Sequence, residues 1–236
     1  MEFLGHKLRH EDKFYINNFM YHELRERLRH LLTKDQNTSD DEGYLISSLY
    51  FDDMFNSAMD DKVDGTRHRK KYRIRLYNHS DNIIKLECKS KYNNYISKEW
   101  APLSRDEYNM ILKGDYGFLL SRKEEVCRKL YANHTTKILK PVTVVEYLRE
   151  AYIHDQGNVR ITFDKNLQAS IGALDIFHSE YKTTGVPMDG MMILEVKYDD
   201  YLADYIRKII HTGPMVKCAI SKYVMCRDIN RKVRIL

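Results

Sequence analysis

Several segments of the chain alternate charged and apolar residues with the two-residue period of a β-strand, and they include residues 72–76, 85–89 and 159–162. Successive side chains of a strand point to opposite faces of a sheet. Each of these segments therefore presents one charged face and one apolar face. For any one of them alone, the ordinary interpretation is a sheet whose polar face lies in water.

Two further segments do not fit that interpretation. Residues 142–146 and 191–197 are apolar on both faces over most of their length, which is typical of strands covered on both sides. Yet the second contains Glu195 and Lys197, and the first continues to Arg149. Ionised groups are rarely enclosed without partners or a ligand. A closed barrel with a charged interior reconciles these observations, and such an interior suits a polyanion.

The distribution of charge points to the same kind of partner. Between Lys62 and Lys98 the chain carries eleven Lys or Arg residues against three acids, although its net charge is only +5. This local excess favours an anionic partner such as a phosphate chain, nucleic acid or an acidic membrane surface. A basic face in contact with water is the alternative.

Length and composition predict one soluble domain over residues 1–236, because all-β barrels of this size are often undivided. The four cysteines form no Cys-x-x-Cys pair, which predicts reduced thiols and a cytoplasmic location. Residues 1–13 carry charges where a secretory signal needs an apolar core. No apolar run approaches the roughly 20 residues of a membrane span. A membrane-associated partner and the oligomeric state stay open.

Helix signals lie between and after the strands. Ser104 and Ser121 each begin a Ser-x-x-Glu capping box, so a helix should begin at each. A last long helix is predicted from Asp199 or Asp200 to the Gly213-Pro214 pair. The sequence as a whole predicts an α+β fold, an antiparallel barrel of roughly eight strands with flanking helices and a late C-terminal helix.

Basic residues on several predicted strands are the candidate ligands for an anion. Arg73 and Arg75 are two residues apart, so both guanidinium groups leave the same face of one strand. An arginine fork suits phosphate oxygens because it makes two parallel charged hydrogen bonds. Lys89 extends this positive field, and Arg149 and Arg160 come from two further strands.

Glu195 is the candidate metal ligand. A lone carboxylate in an apolar strand is costly unless a cation meets it. Mg²⁺ and Mn²⁺ bound to phosphates use one or two carboxylates together with phosphate oxygens and water. A salt bridge to one of the arginines is an equal alternative.

Other chemistries find little support in the sequence. His6 and His10 fall at the start of a predicted strand with no cysteine or third histidine nearby, which argues against a zinc site. No Walker loop, Gly-x-Ser-x-Gly or Gly-x-Gly-x-x-Gly occurs. No activated nucleophile for a covalent phospho-enzyme is evident.

A series of short motifs runs along the chain. In order, they are Arg9-His10-Glu11-Asp12-Lys13-Phe14, Ser48-Leu49-Tyr50-Phe51-Asp52, Arg73-Ile74-Arg75, Leu86-Glu87-Cys88-Lys89, Ser97-Lys98-Glu99, Leu194-Glu195-Val196-Lys197 and Ser221-Lys222-Tyr223. Over about residues 8–227 this series resembles the VTC domain, the polyphosphate-polymerase domain of the triphosphate tunnel metalloenzyme superfamily. Each motif is short, but their joint order and spacing is specific.

The resemblance implies an antiparallel barrel whose basic tunnel transfers the ATP γ-phosphoryl group onto a growing polyphosphate chain with Mn²⁺ or Mg²⁺. Glu195 resembles the metal-binding carboxylate. The implied phosphate ligands are Lys13, Lys62, Arg73, Arg75, Lys89, Lys98, Arg149, Arg160 and Lys222. Among these the catalytic role falls to Arg73, Arg75, Lys89 and Lys222. From the residues alone, Lys222 would be interpreted as a surface lysine.

Three functions remain open from the sequence. The first is the polymerase, with ATP and polyphosphate as partners and no nucleic acid. It is favoured because Arg9 stands where the hydrolytic and cyclase branches of the superfamily have their first Glu. The second is a triphosphatase using the same tunnel on tripolyphosphate or nucleoside triphosphates. The third is a non-catalytic module that binds polyphosphate or RNA, in which Tyr72 and neighbouring tyrosines would stack on bases.

Overall fold

The computed structural model describes residues 2–3, 6–7, 9–35, 42–93, 95–177, 183–211 and 213–233. The longer strands in these ranges are β1 (His10–Ile16), β2 (Tyr44–Asp52), β3 (His68–Tyr77), β4 (Ser80–Tyr92), β5 (Tyr95–Leu103), β6 (Lys140–His154), β7 (Val159–Ser170) and β8 (Met192–Tyr198). The α-helices are α1 (Asn18–Leu31), α2 (Ser57–Val63), α3 (Arg105–Leu112), α4 (Glu125–Lys137), α5 (Asp204–Ile210) and α6 (Lys222–Val233). Short strands are Glu2–Phe3, His6–Lys7, Thr33–Lys34 and Thr183–Gly185.

The eight longer strands form one antiparallel sheet in the order β1-β8-β7-β6-β2-β3-β4-β5. The predicted α+β fold of about eight antiparallel strands with flanking helices is therefore confirmed. The edge strands β1 and β5 approach each other, but they are joined by an isolated bridge at Arg9 and Ile96, with N–H to O at 3.3 Å, rather than by a continuous ladder. The sheet thus curves almost into a barrel without closing along its full length.

Helices cover the outer face of the sheet in two places. Around Leu86 on β4, the outward apolar side chains of β2 to β5 pack with α3 and α4 into one buried cluster. Around Leu194 on β8, those of β1, β7 and β8 pack with α1 and α5 into another. Burial of this apolar surface is the main favourable contribution to folding. The charged faces of the same strands are consequently left pointing inward.

The helix α6 packs against the inner face. Its residues Tyr223 and Cys226 are buried in a cluster with Ile46, Val145 and Tyr147 of strands β2 and β6. The hydroxyl of Tyr223 also donates a hydrogen bond to the buried carboxylate of Asp52. The first residue of α6, Lys222, is therefore held inside the curved sheet.

Two helix predictions were wrong in position. Ser104 caps α3 with a complete capping box, as expected, but α4 begins at Glu125 with Glu124 at its N-cap. Ser121 does not cap it because its hydroxyl donates to the Phe118 carbonyl at 2.7 Å. This bond keeps Ser121 in a short 3₁₀ turn.

The last long helix is also not where the Asp199 and Asp200 signals placed it. The segment after β8 holds only the seven-residue α5, which begins at Asp204, and the long C-terminal helix is α6. The side chain of Asp199 is instead engaged by Arg9, whose Nε lies 3.0 Å from its carboxylate. Among the described residues, none of the helices has both the length and the apolar character needed to cross a bilayer.

Candidate functional site

A cavity of about 180 Å³ lies on the inner face of the sheet and is closed on one side by the start of α6. Its walls come from strands β1 to β6 and β8 as well as from α2 and residues 218–223. The charged residues that line it are Glu11, Lys13, Lys62, Arg69, Lys71, Arg73, Arg75, Lys89, Lys91, Arg149, Glu195, Lys197 and Lys222. Cations therefore far outnumber carboxylates on its walls.

The structure brings most of the sequence-predicted residues together in this cavity. Those that line it are Lys13, Lys62, Arg73, Arg75, Lys89, Arg149, Glu195 and Lys222. Two predicted phosphate ligands, Lys98 and Arg160, lie outside this lining. Lys98 Nζ is 2.9 Å from Glu87, and Arg160 Nη2 is 2.5 Å from Asp35 and 2.9 Å from the Tyr44 hydroxyl.

The two arginines of β3 differ in their partners. Arg73 Nε lies 2.7 Å from the buried carboxylate of Glu87 and its Nη1 donates to the Tyr50 hydroxyl at 2.9 Å. Arg75 is also buried, but its hydrogen bonds go to the hydroxyl groups of Ser48 at 3.3 Å and Tyr147 at 3.1 Å. Within the described ranges, Arg75 contacts no carboxylate. A buried guanidinium with only neutral acceptors is poised to bind an anion.

Glu195 is surrounded by cations. Lys197 Nζ lies 2.6 Å from one carboxylate oxygen, while Arg149 Nη2 at 3.4 Å and Lys222 Nζ at 3.9 Å approach the other. Burial alone would raise the pKa of Glu195, but these cations and Lys13 hold it well below its usual range. Glu195 is therefore ionised at neutral pH.

Asp164 and Glu11 complete this network. Arg149 makes a two-pronged pair with Asp164, with Nε to oxygen at 2.6 Å, and Lys222 Nζ is 2.5 Å from the same carboxylate. Glu11 accepts from Lys89 at 2.7 Å and is 3.0 Å from Lys13. Burial would raise the pKa of Glu11, yet the surrounding lysines lower it to about 2. We call Glu11, Lys13, Arg149, Asp164, Glu195, Lys197 and Lys222 the paired group.

A second set of cations in the cavity, on α2, β3 and the end of β4, has neutral partners. Lys62 Nζ donates to the Ala219 carbonyl at 2.8 Å, and Lys71 Nζ donates to the Ser221 hydroxyl at 3.0 Å. Among the described residues, none of these cations lies within 4.0 Å of a carboxylate. We call Lys62, Arg69, Lys71, Arg75 and Lys91 the unpaired group.

Burial, together with repulsion from neighbouring cations, depresses the pKa values of Lys62 and Lys71. Burial and the neighbouring cations, Arg69 first among them, lower the pKa of Lys62 to about 8. Burial and the charge of Lys13 hold the pKa of Lys71 well below its usual range. Lys89 stands between the two groups, and burial lowers its pKa to about 8 although Glu11 opposes the shift. A polyanion in the cavity would remove this repulsion.

Sequence reasoning missed Lys71, Arg69 and Asp164. The first two continue the alternation of Arg73 and Arg75 along β3, so the period of two residues was a sufficient signal. Asp164 follows an apolar stretch of β7, and only the register that places it opposite Arg149 identifies its partner. Lys222 is buried, so its interpretation as a surface lysine was wrong.

The donor set fits a divalent cation that arrives with phosphate. Glu11 and Glu195 are the carboxylates on the cavity wall, and both are held ionised. One or two carboxylates suffice for Mg²⁺ when phosphate oxygens and water complete its shell. The described residues hold no group of three or more His, Cys, Asp or Glu that could bind an ion alone. The residues therefore suit a metal–phosphate complex rather than a free-standing metal centre.

A sequence comparison decides the family. The family model of the VTC domain matches residues 8–229, which is nearly the whole chain. The chain belongs to the VTC domain family. The resemblance seen in its motifs is thereby confirmed, and the basic, curved-sheet interior of this VTC domain agrees with a triphosphate tunnel. Among curated protein sequences, none matches the chain.

Solved structures agree at the level of the fold. A crystal structure of a "putative adenylate cyclase" from Bacillus halodurans has a TM-score of 0.50 and 14% identity, covering 99% of this chain and 93% of that one. The PH1819 protein from Pyrococcus horikoshii has a TM-score of 0.47 and 14% identity, covering 94% of this chain and 99% of that one. The first of these likenesses shows that the two proteins share a fold.

Proposed function

We propose that this VTC domain is a metal-dependent polyphosphate polymerase that transfers the γ-phosphoryl group of ATP onto a growing polyphosphate chain. The observation that carries the proposal is the unpaired group, above all the buried guanidinium of Arg75 with only hydroxyl partners. Buried cations without counter-ions are costly and rare. A linear chain of phosphates supplies one negative charge after another along such a wall.

The two groups of charges suggest two tasks. The unpaired group would hold an extended phosphate chain, because Arg75 offers a fork and Lys62 and Lys71 offer point charges. The paired group would hold the reacting phosphates of the nucleotide next to Glu195. Phosphoryl transfer depends mainly on positioning and on stabilising charge, so this arrangement supplies the main requirements of the reaction.

Glu11 and Glu195 would hold Mn²⁺ or Mg²⁺ together with phosphate oxygens. Such an ion would supply Lewis-acid stabilisation of the charge that develops on the phosphates. Lys222 and Arg149 lie on the other side of Glu195, so their charges add to the stabilisation of the transferred group. The lysines that pair with these carboxylates in the free protein would then contact phosphate oxygens instead.

The state of the carboxylates favours transfer to phosphate over hydrolysis. A hydrolase must orient and activate a water molecule, usually with a carboxylate or histidine that can accept its proton. On the cavity wall, Glu195 and Glu11 are both paired with lysines, and against the effect of burial these lysines lower the pKa of Glu11 to about 2. A carboxylate of such low basicity is a poor general base. The end of a polyphosphate chain is already anionic and needs none.

The test is to incubate the purified chain with ATP and Mn²⁺ and to separate the products on a polyphosphate gel. We expect a ladder of chains that disappears when the metal is chelated. Arg75→Ala should reduce chain synthesis by at least about 100-fold, because it removes a buried, charge-assisted phosphate contact. Arg27→Ala, on the exposed face of α1, is the matched control and should leave the ladder unchanged.

Three results are informative. Loss of the ladder in Arg75→Ala but not in Arg27→Ala supports the polymerase. Release of free phosphate without a ladder replaces it with a triphosphatase that uses the same cavity. Tight binding of tripolyphosphate without turnover replaces it with a non-catalytic polyanion-binding module. Arg75→Lys, which retains the charge, separates loss of a phosphate contact from loss of folding.

A further inference from the structure

A second cavity, of about 520 Å³, lies at the end of the sheet where β2 and β7 end and β6 begins. Arg227 and Asn230 of α6 line it, whereas Lys222 of the same helix lines the first cavity. The two cavities share no lining residue among those described. The proposed phosphoryl transfer therefore gives this second cavity no role.

Cations without carboxylate partners line this second cavity. Arg227 donates from Nη2 to the amide oxygen of Asn56, and within the described ranges neither Arg227 nor Lys140 lies within 4.0 Å of a carboxylate. The one acid on its wall, Asp53, accepts the N–H groups of Phe55 at 3.0 Å and Ser57 at 2.9 Å. In the described part of the chain, Arg227 Nε is buried with no hydrogen-bond partner. The described part of this wall thus carries cations that no carboxylate contacts, and Arg227 lies instead beside the Tyr223 hydroxyl and the Asn56 amide.

Large apolar side chains surround the same end of the sheet. The exposed fractions are 56% for Met54, 69% for Phe55, 49% for Ile138 and 37% for Ile171. Met54 and Ile171 both line the cavity, and Met54 N–H donates to the Lys137 carbonyl, next to Ile138. We call Met54, Phe55, Ile138 and Ile171, with Lys137, Lys140 and Arg227, the apolar-basic face.

The backbone of Ile138 adds a second sign of function on this face. Ile138 ends α4 with φ at 55°, the left-handed region, which is strongly disfavoured for a β-branched residue. This position usually takes glycine or asparagine. The chain therefore accepts backbone strain at a residue whose apolar side chain is 49% exposed.

We infer that the apolar-basic face docks on an anionic bilayer, with the acyl boundary receiving its apolar side chains and lipid phosphates meeting its cations. Apolar residues flanked by lysines and arginines are the composition of surfaces that lie in the membrane interface. A second copy of the chain is a poor occupant, because a two-fold contact would bring Lys137, Lys140 and Arg227 of both copies together. An anionic lipid satisfies both the charge and the apolar surface.

The test is flotation of the full chain with vesicles of phosphatidylcholine alone or with about one third phosphatidylglycerol. We expect binding to the anionic vesicles only. Lys137→Gln with Lys140→Gln should weaken it about 25-fold, since each basic residue near an anionic surface contributes a factor of about five. Phe55→Ser should weaken it about tenfold through lost apolar contact.

Matched controls lie on other faces. Lys113→Gln, beyond the end of α3, and Phe19→Ser, on α1 with 77% exposure, should bind vesicles as the parent does. Equal binding of the parent to phosphatidylcholine alone, or no binding to either vesicle, would overturn the inference. So would loss of binding in Arg75→Ala, because the vesicles would then be held by the first cavity. Displacement of the protein by millimolar glycerol phosphate would assign the second cavity to a free phosphate instead of a lipid.

Discussion

The paired and unpaired groups of the first cavity both contain lysines and arginines, but the partners of these cations differ. In the paired group each carboxylate meets more than one cation, as at Glu195 with Lys197 at 2.6 Å and Arg149 at 3.4 Å. In the unpaired group Lys62, Lys71 and Arg75 hydrogen-bond to neutral oxygens. The protein's own carboxylates supply counter-charge to the paired group, whereas the unpaired group can receive it from a bound anion.

The difference teaches how a protein can enclose so many charges. A buried ion pair supplies its own counter-charge, although the cost of removing both ions from water makes it a weak source of stability. A buried cation with only neutral partners lowers stability until a ligand binds, and the binding then recovers this free energy. Removing one member of the paired group should therefore destabilise the fold, because its partner is left buried without counter-charge. Removing a member of the unpaired group should instead reduce the affinity for phosphate.

The largest effect should come from removing a carboxylate of the paired group. Glu195→Gln leaves Lys197, Arg149 and Lys222 with less buried counter-charge, and breaking such a pair costs about 3–5 kcal/mol in the free energy of unfolding. Denaturant unfolding monitored by circular dichroism measures the change. Glu26→Gln, which breaks an exposed pair with Arg29, should cost about 0.5 kcal/mol or less. Equal losses in the two variants would remove the distinction between the paired network and an ordinary surface pair.

A change in the unpaired group should act in the opposite direction on stability. Lys71→Met removes a partly buried cation whose pKa is depressed, so we expect the free protein to become more stable by about 1–2 kcal/mol. The affinity for tripolyphosphate, measured by titration calorimetry, should fall by about 30-fold because a charge-assisted contact is lost.

Lys98→Met is the matched control for Lys71→Met. Lys98 pairs with Glu87 outside the cavity and its side chain is 47% exposed, so both the stability and the affinity should change little. A loss of affinity in Lys98→Met as large as that in Lys71→Met would show that the motif predicts phosphate ligands better than the cavity wall does. A loss of stability in Lys71→Met would contradict the unpaired state of that lysine.

The sequence predicted the sheet and the positions of many charges because both depend on a period of two residues. Alternation placed Arg73 and Arg75 on one face, and the structure keeps them there. The capping box at Ser104 is likewise a local signal, and the helix start that it predicted is confirmed. The helix start predicted at Ser121 was wrong because the Ser121 hydroxyl donates to the Phe118 carbonyl, and residue spacing alone does not predict that contact.

The sequence alone did not predict which charged side chains pair with one another across the sheet. The partners of Glu195 depend on the register in which β8 pairs with β1 and β7. They also depend on α6, which places Lys222 near Glu195 although the two residues belong to different elements. The difference between the paired and unpaired groups is thus a property of tertiary structure. Lys98 was assigned from a motif and Arg160 from the alternation of its strand, and the structure places both outside the cavity lining.

The smallest expected effect is the response of phosphate binding to pH. Lys62 has a pKa of about 8 in the free protein, so it is charged below this pH and loses its proton as the pH rises through it. A bound polyanion favours the charged form and raises that pKa. The affinity for tripolyphosphate should therefore fall by about three- to tenfold between pH 7 and pH 9.5, with protons taken up on binding in the upper part of this range.

Titration calorimetry in two buffers of different ionisation enthalpy measures the proton uptake directly. Glu11 and Lys13 should contribute little to it, because the pKa of Glu11 is about 2 and that of Lys13 is raised. Lys89, with a pKa of about 8, and Lys197, whose pKa is lowered by burial, add to the uptake. Lys62→Met should consequently remove part of the uptake and part of the pH dependence. Over the same interval the free energy of unfolding of the free protein should rise, since the unfolded chain binds more protons at Lys62 than the folded one. An affinity that stays constant across this interval would mean that the cations of the unpaired group are already neutralised in the free protein. That result would contradict the distinction between the paired and unpaired groups.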